Sequence, residues 1–146
     1  MPTIQITYTG DLRTQATHLQ SGSQLVTDAP TDNQGRGEAF SPTDLVANAL
    51  GTCILTTMAI VARREGIDLA QSTADVTKIM TQEAPRRIAR IVINLALRVK
   101  TADGLALTDA QKTKLQTIAH TCPVAISLHP DLVQEVSITW PGSTAN

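Results

Sequence analysis

Residues 45–62, LVANALGTCILTTMAIVA, run for 18 residues without a charge. Ser41, Pro42 and Asp44 stand just before them. Ser41 fits the N-cap, Pro42 the first helical position, and Asp44 the third position of a capping box. Arg63 and Arg64 follow, placed to complement the negative end of a helix dipole, and Gly66 supplies the stop. The stretch therefore predicts one long helix over residues 42–65. An apolar run of this length reaches the threshold of a membrane span. Asn48, Thr52, Thr56 and Thr57 dilute it, its flanks are strand-patterned, and it would be the only span. The expectation is a core helix buried on nearly all sides, with no membrane as partner. A chain of 146 residues struggles to cover every face of such a helix, which implies cover from a second subunit.

On the N-terminal side, residues 3–9 alternate, with Ile4, Ile6 and Tyr8 on one face. That is a half-buried strand. Gly10-Asp11 turns the chain, residues 12–19 return, and a short strand over residues 24–27 follows a Ser-Gly-Ser turn. Residues 28–40, DAPTDNQGRGEAF, read as a loop. Beyond the helix, residues 72–81 form an imperfect strand. Ile91, Ile93, Leu95, Leu97 and Val99 then make a strict period-2 stripe within residues 87–100. Thr108 can cap a second helix, whose Leu115, Ile118, Ala119 and Cys122 share a face and which Pro123 ends. A short helical turn over residues 124–128 and a last strand over residues 132–140 complete the order. The fold class predicted is α+β with mostly antiparallel sheet, in a single domain over residues 1–146.

Composition narrows the function. The formal net charge is −1, and charged residues make up 17% against roughly 25% in an average soluble protein. Such a chain lacks the basic excess of a nucleic-acid footprint. Its three aromatics, Tyr8, Phe40 and Trp140, leave little for a base-stacking platform. Two cysteines do not make a disulfide scaffold, and residues 1–13 show no signal-peptide pattern. The expected location is a reducing cytoplasm, where Cys53 and Cys122 are either inert core filling or redox groups. A metal site is disfavoured, since there is no C-x-x-C and His120 beside Cys122 adds one ligand type at poor spacing. A redox pair would need a lowered thiol pKa at the first cysteine and a cation or donor near its sulfur. It would also need two Cα atoms within about 7 Å when bonded.

Two motifs carry a family resemblance. Ser41-Pro42-Thr43-Asp44-Leu45, followed by Ala49-Leu50-Gly51-Thr52-Cys53, resembles the S-P-x-[ED]-L-x(3)-A-L-x-x-C helix of the OsmC/Ohr family. Ala119-His120-Thr121-Cys122-Pro123-Val124 is similar to that family's second motif, a Cys-Pro at the end of the later helix. The likeness covers almost the whole chain. It implies an OsmC-like fold, with antiparallel sheets wrapped around long central helices in an intertwined homodimer. It implies thiol-dependent reduction of organic hydroperoxides or hydrogen peroxide, with Cys53 peroxidatic and Cys122 resolving. No metal, flavin or haem cofactor is implied. Electrons would come from an external dithiol of the lipoyl or thioredoxin-like kind.

The resemblance also implies an arginine from the N-terminal hairpin, a position that Arg13 fits. By itself Arg13 reads as a solvent-facing strand residue, and Arg36, between Gly35 and Gly37, is the competitor. The family's catalytic glutamate follows the helix proline, and here that position is Thr43. Asp44 lies about 900° of helical rotation before Cys53, on the opposite face, and reads as a cap. The missing glutamate keeps open an alternative, a non-enzymatic ligand-binding or redox-sensing protein with inert buried thiols. His120 reads as a helix-end histidine, the alternative being a base for Cys122 two residues on. His18 and His129 read as surface or turn residues, and Arg86, Arg87 and Arg90 as a solvated strand face.

Overall fold

The computed structural model describes residues 1–142. The class is α+β, as expected, and the chain forms two compact units, Met1–Val46 and Ala47–Asn146.

In the first unit, strands β1 (Ile4–Gly10), β2 (Arg13–His18) and β3 (Gln24–Asp28) make an antiparallel sheet in that order. The β1–β2 turn passes through Gly10, Asp11 and Leu12, all at positive φ. Arg13, first residue of the middle strand, pairs with Gly10 on one side and Asp28 on the other. The predicted loop follows β3, with one 3₁₀ turn over Thr31–Asn33. It returns to the sheet through a single bridge between Thr27 and Phe40. Gly35 is required there, because a Cβ would overlap the carbonyl of Ala29. Helix α1 (Pro42–Arg64) then starts as its sequence predicts. The Asp44 N–H donates to Ser41 Oγ at 3.1 Å, and the Ser41 N–H donates to Asp44 Oδ2 at 2.9 Å. Asp44 is thus the capping residue that the spacing indicated.

The second unit holds the core. Helix α1 contributes Leu50, Ile54 and Met58, all fully buried. After Gly66 come β4 (Ile67–Asp68), β5 (Thr73–Met80), β6 (Ile88–Ala96) and β7 (Lys100–Thr101). Helices α2 (Asp109–Thr121) and α3 (Pro123–Ser127) and strand β8 (Val133–Thr139) follow. Of the predicted stripe, Ile91, Ile93, Leu95 and Leu97 are buried, but the strand ends at Ala96, short of the predicted residue 100, and Val99 is only half-buried. Leu115, Ile118 and Ala119 of α2 join the same cluster. Gly51 lets α1 approach the sheet closely, because a Cβ there would stand 2.9 Å from Val76 Cγ2 on β5. Lys112 of α2 stands over the Trp140 ring after β8, its Nζ 5.7 Å from the ring centre.

One pairing departs from the antiparallel expectation. Strands β5 and β6 pair antiparallel, but β8 joins the other edge of β6 in parallel, with Ile93 opposite Val136. A parallel partner needs a long crossover, and α2 and α3 supply it. The small β4–β7 pair is a further addition to the predicted elements.

The buried side of α1 is narrower than expected. It comprises Ala47, Leu50, Gly51, Ile54, Met58 and Ala62. Asn48, Thr52, Thr56 and Ile60 line an exposed side four residues apart. By length and composition α1 could cross a membrane, and within the chain 33% of its apolar window is buried.

Candidate active site

Cys53 lies halfway along α1 and is half-buried, one turn before Thr57, whose Oγ1 stands 3.9 Å from its sulfur. Cys122 is buried, 1% exposed, at the joint between α2 and α3. Proline at 123 disfavours helical backbone at the residue before it. Cys122 accordingly takes an extended conformation, φ −62° and ψ 153°, and serves at once as the end of α2 and the start of α3. This break leaves the first N–H groups of α3 without helical acceptors, so those of Val124 and Ala125 can act on the two thiols.

Both cysteines are free thiols, and each is close enough to act on the other's ionisation. Burial pushes the Cys53 thiol up. The Val124 backbone N–H, the Cys122 thiol and the Thr57 hydroxyl favour the thiolate and outweigh that cost, so Cys53 sits below its ordinary value. Cys122 moves the other way. Burial raises it, the Ala125 N–H partly opposes, and the neighbouring Cys53 sulfur raises it again. The pair is thus divided into one thiol disposed to ionise and one disposed to keep its proton.

Arg13 is in the first unit, 29% exposed at its side chain, and paired to two carboxylates. Its Nη2 lies 3.5 Å from Asp28 Oδ2 and also binds Glu38. Those contacts and their charges raise the guanidinium further above its usual range. Asp28 is held below the usual carboxylate value, first by the Glu38 N–H against the cost of burial, then by Arg13 and the N–H groups of Arg36 and Ala29. Arg36 therefore contributes its backbone to Asp28 while its side chain is exposed. Thr43 places its hydroxyl 3.2 Å from Ser41 Oγ, within the helix cap.

His18 bonds Ser21 Oγ at 2.7 Å, His129 accepts the Asp131 N–H at 3.1 Å, and His120 is exposed. Arg90 pairs with Glu135 across β6 and β8 at 3.1 Å, consistent with a solvated strand face. Among the described residues no group of three or more His, Cys, Asp or Glu side chains could hold a metal ion.

Sequence reasoning missed Asp28 and Glu38 as partners of Arg13, and Thr57 and Val124 as partners of Cys53. Thr57 was readable from its spacing, four residues after Cys53 on one helix face. Asp28 needed the register of β2 against β3, which alternation alone does not give.

Residues 35–137 match the family model of OsmC-like protein. A solved structure from Psychrobacter arcticus, described as a putative osmotic stress induced and detoxification response protein, is 48% identical, with 95% of this chain and 96% of that one covered and a TM-score of 0.86. The organic hydroperoxide resistance protein OsmC of Legionella pneumophila shares the fold at 14% identity, 93% and 94% coverage and TM-score 0.68. The organic hydroperoxide resistance protein OhrB of Bacillus subtilis does so at 14% identity, 93% and 96% coverage and TM-score 0.61. No curated protein matches the chain. With the family model spanning well over half its length, this chain belongs to the OsmC-like protein family.

Proposed function

We propose that this protein is a thiol-dependent peroxidase that reduces organic hydroperoxides or hydrogen peroxide. The observation that carries the reading is the thiol pair: Cys53 lowered by the Val124 N–H and Thr57, beside a buried Cys122. The Cys53 thiolate attacks one oxygen of the O–O bond. That bond breaks, the other oxygen leaves as an alkoxide or hydroxide and takes a proton, and Cys53 becomes a sulfenic acid. The Cys122 sulfur then attacks the Cys53 sulfur, a disulfide forms and water leaves. An external dithiol, lipoyl or thioredoxin-like, returns two electrons and restores both thiols. Arg13 is the cation we assign to the thiolate and the departing oxygen, on the strength of the family resemblance. The scheme uses no metal or other cofactor.

The working unit we propose is a homodimer in the cytoplasm, with neither a membrane nor nucleic acid as partner. The exposed side of α1 supports the dimer, because Thr52, Thr56 and Ile60 lie open on an otherwise apolar helix. Peroxide consumption with a dithiol reductant tests the activity. Wild type should turn over and Cys53→Ser should not. Cys122→Ser should still form the Cys53 sulfenate, seen as a mass increase of one oxygen, but no intramolecular disulfide. Equal rates for wild type and Cys53→Ser would end this reading.

The competing proposal is a non-enzymatic ligand-binding or redox-sensing protein, and Thr43 at the glutamate position favours it. Native thiol labelling separates the two. Slow labelling of Cys53 with an alkaline midpoint supports the binding protein, and fast labelling at neutral pH supports the enzyme.

A further inference from the structure

The first unit contains an arrangement to which the scheme above gives no role. Arg13 and Asp28 are partners across β2 and β3. The Asp28 side chain is wholly buried, an expensive place for a carboxylate unless its charge is met. Its Oδ2 receives the Arg13 guanidinium at 3.5 Å and the Glu38 backbone N–H at 3.0 Å. Glu38 then turns its own carboxylate onto the same Arg13 Nη2. The circuit is closed: Asp28 holds the backbone of the residue whose side chain grips the arginine that Asp28 itself binds.

We propose that Asp28 and Glu38 are positioning residues for Arg13, with Asp28 anchoring the loop so that Glu38 reaches the guanidinium and the two together fix where its remaining N–H donors point. An unrestrained arginine spreads its head group over many rotamers, and two carboxylates from separate segments remove that freedom. Thr43, with no carboxylate, cannot share this task. The loop is shaped for it, since Gly35 passes against Ala29 where no side chain fits. This inference rests on the reading of Arg13 as the cation of the peroxidatic site.

The test is a double-mutant cycle on the full chain, read as the rate of Cys53 oxidation by cumene hydroperoxide. Glu38 is 57% exposed at its side chain, so Glu38→Gln keeps the fold. It should slow oxidation roughly tenfold, the loss of one charge-assisted contact. Arg13→Ala should slow it more, and Glu38→Gln should add nothing in the Arg13→Ala background. Glu38→Asp, which keeps the charge, should recover part of the rate. Asp28→Asn should follow the Glu38→Gln pattern if it folds. A Glu38→Gln effect that persists without Arg13, an active enzyme indifferent to Glu38→Gln, or Glu38→Asp no faster than Gln would each overturn the positioning role. Cumene hydroperoxide consumption by wild type no faster than by Cys53→Ser would instead remove the peroxidase reading and the positioning role with it, so the two failures are told apart in the wild-type protein.

Discussion

At the residue scale, the Cys53 sulfur is a contest between burial and three donors. Burial favours the thiol, while the Val124 N–H, Cys122 and Thr57 favour the thiolate. Thr57→Val keeps the shape and deletes one donor. Cys53 alkylation at neutral pH should then slow several-fold, and its midpoint should move up toward the ordinary thiol range. The pH dependence of iodoacetamide labelling measures this, and an unchanged midpoint would remove Thr57 from the account. Asp28 makes a second prediction, on stability. Its folded pKa lies below the ordinary value, so the folded chain binds that proton more weakly than the unfolded chain. The resulting stabilisation is fully present above the unfolded carboxylate value of about 4 and is lost as pH falls through the folded one. Asp28→Asn should flatten the acid limb of a plot of urea midpoint against pH. A limb as steep as in wild type would point to other carboxylates.

At the element scale, α1 does two jobs that constrain each other. It carries Cys53, and it lies against β5 at a distance set by Gly51. Gly51→Val would force Val76 or the helix to shift, at a cost of about 1–3 kcal/mol. Urea unfolding should show that loss, and peroxide turnover should fall because Cys53 moves with the helix. Much of this element was legible in the sequence. The Ser41–Asp44 cap, the charge-free run and the glycine stop are local signals, and local signals survive folding. The alternating stripe of β6 was legible for the same reason. The parallel pairing of β8 with β6 was not, because alternation specifies faces and leaves the neighbour and its direction open. The candidate site divides the same way. Both cysteines announced themselves through their motifs, and Pro123 explains the bend at Cys122. Asp28 and Glu38 reach Arg13 from 15 and 25 residues away, a relation that only strand register and a folded loop create.

At the scale of the whole molecule, a 23-residue helix with a third of its apolar window buried is poorly covered by its own chain. A partner subunit across Thr52 and Thr56 would remove that surface from water. Thr52→Arg would place a charge in such a contact. Sedimentation should then show the proposed dimer shifting toward monomer, with the far-ultraviolet spectrum unchanged. A wild-type protein that sediments as a monomer at micromolar concentration would rule out the dimer. A different consequence follows from Trp140, the single tryptophan of the sequence. Held beneath Lys112 and half-buried, it makes the intrinsic fluorescence of the protein a signal from one place, the junction of α2 with the end of β8. Its emission can therefore follow the loosening of that junction in real time, with no dye attached and both thiols left untouched.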